Sequence, residues 1–244
     1  DVLLNGGKSD SYAIVPDYYN GIVPKVVAKV GEKVKAGSVL MIDKNRPEIK
    51  FVSPVSGEVT AVNRGEKRKV LSVVVKPEAQ IEYEDFGKKN VASLKREEVK
   101  EAILHAGMWP FIKQRPYDIV ASPADEPRDI FVSAFYSAPL APNFDFVVKG
   151  QEVDFQTGLD ALAKLTDGKV YVGIRKGSSV SVKGVETVEV EGPHPAANVG
   201  VQINHIKPIN KGEVVWTVNP ADVIVIGRLF NKGIADFSRL VVIT

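Results

Sequence analysis

The chain has 244 residues, 44% of them apolar, with 32 basic against 30 acidic side chains and a net charge of +2. That length supports one large or two small cored domains, and the near balance of charge excludes a nucleic-acid footprint or a basic patch for anionic lipid. The sequence has no cysteine, which rules out disulfides, thiolate zinc sites and Cys-ligated iron–sulfur clusters within it. Its three histidines (His105, His194, His205) are too scattered to read as a metal site.

From residue 12 to 76 short alternating stretches are punctuated by Gly and Pro, the pattern of short β-strands. Val26 to Val34 is echoed by Val59 to Val70, each with a Gly-Glu-Lys step, Gly31-Glu32-Lys33 and Gly65-Glu66-Lys67. Two such halves on either side of "SPVSGEV" imply a small flattened barrel with a pseudo-two-fold axis. Gly31, Gly65 and Gly57 are expected at positive φ. The strings "VGEKVKAGSVL" and "SPVSGEV" resemble the biotinyl/lipoyl fold, in which a modified lysine sits on a hairpin tip. Lys44 occupies such a tip, but Pro54 follows ten residues later and Asn45, Arg46 and Pro47 stiffen the turn. The tip reads as a docking edge and Lys44 as unmodified, with a lysine-borne carrier as the competing reading.

A charged linker, Glu78 to Asn90, leads to "SLKREEVKEAILHAG". This is a predicted helix with Ser93 as N-cap, an apolar face of Val99, Ala102, Ile103 and Ala106, and Gly107 as its stop. His105 on it reads as solvated or capping. Arg128 to Phe135 is nearly continuous in apolar residues, as a strand buried on both faces is. Asp154 to Leu165 is a helix with Phe155, Leu159, Leu162 and Leu165 inward, ended by Gly168. Lys169 to Ile174 and Glu186 to Gly192 are strands. Asn219 to Gly233 is rich in β-branched residues, yet Asn219 as N-cap, Pro220 at the first helical position and Gly233 as stop predict a helix. The order implies an α/β fold with a partly parallel, Rossmann-like sheet. The expected domains are 1–82, 83–236 and, from 237 to 244, the first strand of a further β domain.

The longest apolar runs, Asp129 to Phe135 and Asp222 to Phe230, fall far short of the about 20 residues a membrane-spanning helix needs. No G-x-G-x-x-G follows a strand, and no Walker loop or Ser-His-Asp arrangement is present. "RKGSSV" (Arg175 to Val180) is either a phosphate-holding loop or a plain turn. The most distinctive string is "GPHPAANVG". Pro193 and Pro195 stiffen the loop that Gly192 opens and present His194, whose ring can donate a hydrogen bond or carry a proton.

Five strings together, "GEKVKAGSVLMIDKNRPEIKFVSPVSGEVTAVNRGEKRKVLSVVV", "GMWPFIKQRPY", "GLDALAKLTDGKVYV", "GPHPA" and "PADVIVIGRLF", resemble the A subunit of the Na+-translocating NADH:quinone oxidoreductase. The likeness covers about Lys25 to Thr244, roughly half the length of that polypeptide, so the chain is expected to be a piece of a longer protein. The resemblance implies a biotinyl/lipoyl-like β barrel-sandwich followed by a Rossmann-like α/β domain related to the FMN/NADH-binding subunit of complex I. It also implies a peripheral place, without a span of its own, on the cytoplasmic face of the bacterial inner membrane. Its partners there would be the other subunits of a six-subunit complex, with flavins and iron–sulfur centres held by those partners and quinone as the ligand. The related subunits carry a Gly-rich FMN loop after the first helix. Here Trp109, Pro110 and Phe111 stand in its place, so neither FMN nor NADH is expected to bind. No catalytic residue is assigned. The candidates for quinone or partner contact are Gly192, Pro193, His194, Pro195, Trp109, Phe111, Phe135 and Tyr136. A purely structural docking role is the alternative.

Overall fold

Alternation with a period of two puts every second side chain of a strand on one face, and the first third of the chain uses it to enclose a small core. A computed structural model describes residues 2–242. Seven strands come first: β1 (Tyr12–Ile14), β2 (Pro24–Val26), β3 (Lys33–Val34), β4 (Val39–Asp43), β5 (Lys50–Val52), β6 (Gly57–Arg64) and β7 (Val70–Pro77). They form two antiparallel sheets, ordered β1-β7-β6-β3 and β2-β4-β5. Leu40, Val59, Val73 and Val75 are fully buried between them.

The glycine expectations divide. Gly57 has the expected positive φ, 158°, but on a strand and not in a turn: it is the first residue of β6 and pairs with Pro77. It must be glycine because a Cβ there would overlap the Lys76 carbonyl oxygen. Gly65 has φ −97°, and the reversal is made by Lys67 and Arg68, at φ 51° and 61°. Gly31, at φ 87°, fits the expectation.

The β4–β5 tip carries an exposed Lys44, and Arg46 fixes it in place. The Arg46 guanidinium pairs with the buried carboxylate of Asp43 at 2.8 Å and donates to the carbonyls of Gly21 (2.9 Å) and Val120 (3.1 Å). The docking edge therefore meets this chain's own second domain. The linker is also tied down: Glu84 N–H bonds Ala36 in the barrel, whereas Phe86 and Lys89 N–H bond Gly233 and Phe230.

The second domain runs α1 (Arg96–His105), β8 (Lys113–Arg115), β9 (Ile119–Val120), β10 (Asp129–Ser133), α2 (Phe144–Val148), α3 (Glu152–Lys164), β11 (Val170–Arg175), β12 (Glu186–Val190), α4 (Val199–Ile206), β13 (Val215–Thr217) and α5 (Pro220–Lys232). Its six-stranded sheet has the order β12-β11-β10-β13-β8-β9. The first four strands are mutually parallel; β8 and β9 add on antiparallel. Every residue of β10 is buried, as its apolar run requires.

Helix α5 keeps its predicted bounds. Asn219 accepts from the Ala221 N–H, Pro220 fills the first position, and Gly233 closes it in the left-handed region at φ 73°. The β-branched run packs as a helix because α5 lies against α3 at backbone contact, where Gly227 and Gly158 leave no room for a Cβ.

Three boundaries move. Helix α1 begins at Arg96, its Lys95 N–H held by the Glu98 carboxylate. Ser93 instead ends a separate 3₁₀ turn capped by Asn90, because Leu94 between them is extended. Helix α3 begins at Glu152, two residues before the expected Asp154, and ends at Lys164 with Leu165 as its cap, beside Thr166, whose hydroxyl bonds the Pro127 carbonyl; Gly168 serves close approach to the Arg128 carbonyl rather than the stop. Residues 237–242 form no strand: Arg228 of α5 holds the carbonyls of Asp236 and Ser238 and draws the segment along the helix. Ile243 and Thr244, the end of the expected strand, lie outside the described residues.

Candidate functional site

The sheet order reverses direction at β10. The connection from β10 through α2 and α3 leads to β11 on one side, and that from β12 through α4 leads to β13 on the other. Loops diverging in opposite directions leave a crevice at the carboxyl ends of β10 and β13, where ligands gather in open α/β sheets. A cleft of about 610 Å³ lies there.

Each wall of the cleft follows from local structure. Strand β10 runs into Ser133, Phe135 and Tyr136, and β13 into Thr217, Val218 and the N-terminus of α5. Strand β8 pairs with β13 so that Lys113 faces Thr217 and Arg115 faces Val215. The period of two puts both cations on the cleft side and turns Gln114 away. Arg115 is committed to Asp118, at 3.3 Å. Lys113 is not: its Nζ sits 5.1 Å from the ring centroid of Tyr19, and among the described residues it forms no salt bridge.

Burial shifts the titrating groups of this cleft. It pushes the Lys113 ammonium below its ordinary 10.5, against the pull of Asp118 and Asp222. Desolvation lifts the Asp222 carboxyl above 3.8, although Arg239, bonded to it at 2.8 Å, and Lys113 act the other way. The Tyr136 phenol is raised above 10.0, first by burial and then by Asp222. A lowered ammonium, a raised carboxyl and a raised phenol in one concave site mark it as a place for ligand chemistry. None of the three stands out in the sequence as a titrating group, because their shifts come from burial by distant elements.

The sequence-predicted residues divide among three places. Phe111, Phe135 and Tyr136 line the cleft. Trp109 is in the core, its Nε1 donating to the Ala121 carbonyl at 2.8 Å and its ring edge-on to Trp216. The Gly192-Pro193-His194-Pro195 loop lies outside, exposed, with a cis His194–Pro195 bond. Buried Gln202 clamps the residues after it, donating to Ser133 Oγ (2.9 Å) and the Ala196 carbonyl (3.2 Å), while Ser133 Oγ donates to the Ala197 carbonyl (2.7 Å). The Ala197 N–H donates to Ser137 Oγ, which lies 3.2 Å from His194 Nδ1. The loop thus builds the cleft's rim through Ala197 to Val201, with His194 engaged by Ser137 behind it.

Two phosphate-type sites can be tested on geometry. The α1–β8 loop has its glycine at Gly107, but a Cβ there would overlap the Val52 side chain. That glycine admits the barrel, so its bare Cα serves the contact between the domains. In the Arg175 to Val180 loop the Asp145 carboxylate takes Ser178 Oγ (2.6 Å) and the Ser179 N–H (2.9 Å), so the loop closes on an acidic side chain of α2. Among the described residues no group of His, Asp and Glu is placed to hold a metal, and no helix is long and apolar enough to cross a membrane.

Over the residues described, a barrel-sandwich hybrid is locked to a doubly wound α/β domain with an open switch-point cleft. Residues 1–78 match the family described as NqrA N-terminal barrel-sandwich hybrid domain, and residues 94–235 match the NqrA second alpha/beta domain. The chain belongs to the NqrA family. It is similar to proteins named as the A subunit of the Na(+)-translocating NADH-quinone reductase from Neisseria meningitidis serogroup A (37% identical), Hahella chejuensis (37%) and Vibrio atlanticus (38%), in each case over 98% of this chain. It spans about half the length of these curated relatives, 55% of each.

Proposed function

We propose that the chain is part of a peripheral subunit of a Na+-translocating NADH:quinone reductase, and that it contacts quinone through the switch-point cleft. The names of its relatives support the assembly. The observation that carries the contact is Lys113: a partly desolvated ammonium with no salt bridge among the described residues, facing a cleft walled by Phe111, Phe135 and Tyr136. A quinone ring needs an apolar slot and one or two hydrogen-bond donors at its carbonyls. As reduction puts negative charge on a carbonyl oxygen, a preplaced ammonium stabilises it more than water would. The phenol of Tyr136, whose proton burial holds more tightly still, is a second donor.

In this reading the flavins and iron–sulfur centres that deliver electrons from NADH belong to partner subunits, and docking on those subunits holds the chain at the cytoplasmic face of the inner membrane. The test is calorimetric titration of the full-length protein with a tailless dimethoxybenzoquinone. Saturable binding is expected, weakened about tenfold by Lys113→Ala, the worth of one charge-assisted hydrogen bond. Absence of binding to the wild type would leave a docking role alone.

A further inference from the structure

A second cavity, of about 210 Å³, lies between the two domains. It is walled by Ile14, Tyr19 and Phe51 from the barrel side and by Pro110, Phe111 and Phe237 from the other. Its walls are predominantly apolar, with Tyr19 edge-on to Phe51 at 4.8 Å and Phe111 edge-on to Phe237 at 5.9 Å.

Three features join this crevice to the switch-point cleft. Phe111 is a wall of both. Lys113, in the cleft, holds its ammonium over the ring of Tyr19, in the crevice. Asp222, in the cleft, bonds Arg239, in the crevice. A cleft lined by charged and hydroxyl side chains thus lies beside a crevice whose side chains, Arg239 apart, are apolar or aromatic, with Phe111, the Lys113–Tyr19 contact and the Asp222–Arg239 pair between them. The apolar space matches about seven water molecules at about 30 Å³ each, room for a tail of about one to two prenyl units.

We propose that cleft and crevice are one site for an amphiphile, the quinone head lying against Lys113 and its prenyl tail passing Phe111 into the space between the domains. The inference rests on the quinone reading of the cleft and adds a function for the barrel: it supplies half of the tail's enclosure. This accounts for how firmly Arg46 and Gly107 fix the barrel against the α/β domain, since a crevice between loosely joined bodies would not exclude water.

The test compares a tailless dimethoxybenzoquinone with its diprenyl homologue, both titrated into the full-length protein. A tail methylene that leaves water tightens binding about fourfold, so the homologue should bind the wild type at least about tenfold more tightly. Ala13 is an exposed residue of β1 that lines the crevice. Ala13→Trp fills the crevice and Ala13→Glu puts a charge in it. Both should cut the homologue's advantage to below about twofold and leave the head group's affinity and the thermal midpoint unchanged. If both variants keep the full advantage, the tail lies elsewhere and the inference falls while the cleft reading stands. If the wild type fails to bind the tailless head, the cleft reading falls and takes the inference with it.

Discussion

The GPHP loop and the switch-point cleft are neighbours that share a wall, yet they differ in every property that makes a ligand site. The loop is exposed and stiffened by two prolines, and its histidine is engaged by Ser137. The cleft is concave and holds a partly buried cation that forms no ion pair among the described residues, beside a carboxyl whose acidity burial has weakened. Rigidity written into a local string marks a segment that must hold its shape. A binding site needs convergence of elements, and here topology supplies it.

The largest effect is expected where the loop is anchored. Gln202→Ala leaves Ser133 and the Ala196 carbonyl without their buried donor and opens a cavity, so unfolding free energy should fall by about 2–3 kcal/mol. Hydrogen exchange should rise from residue 196 to 201, and quinone affinity should drop with it, because those residues are the cleft's rim. An unchanged denaturation midpoint would mean that the loop does not depend on its clamp.

Next in size is a pH effect confined to the cleft. The Asp222 carboxyl is raised by burial above 3.8. The folded state therefore binds its proton more tightly than the unfolded chain, and this group's stabilising contribution is complete below about 3.8 and is lost as pH rises through the folded value. Asp222→Asn should remove that dependence, so that wild type loses stability relative to the variant as pH rises from about 4 towards neutrality. Parallel curves for the two proteins would show that Asp222 is not desolvated. The smallest effect belongs to the loop's histidine. His194→Gln keeps a hydrogen-bonding side chain beside Ser137 and should change quinone affinity by less than about twofold, against about tenfold for Lys113→Ala. Equal losses in the two variants would put His194 back in the site.

Much of the architecture is legible in the sequence. The caps of α5, Asn219, Pro220 and Gly233, outweigh its β-branched run, and the continuous apolar run of β10 announces a doubly covered strand. Capping and periodicity act within a few residues, so they can be read locally. The features that sequence reading misses act across the fold. Gly57 answers to the carbonyl of Lys76 on the paired strand, Gly107 to Val52 in the other domain, and Gly168 to Arg128. Trp109 reads as an aromatic near a loop, and only Trp216 and Ala121 around it assign it to the core. Lys113 is silent in the sequence because nothing in "FIKQRP" tells that β8 lies antiparallel to β13 and turns the lysine into the cleft.

The central claim, that quinone meets the cleft and not the GPHP loop, is tested most directly by a photoreactive tailless quinone cross-linked to the full-length protein and mapped by peptide mass spectrometry. Adducts are expected on the cleft walls, within residues 111–115, 133–136 and 217–222, competed away by unlabelled quinone and diminished in Lys113→Ala. Adducts confined to residues 192–195, or adducts that unlabelled quinone does not displace, would contradict it.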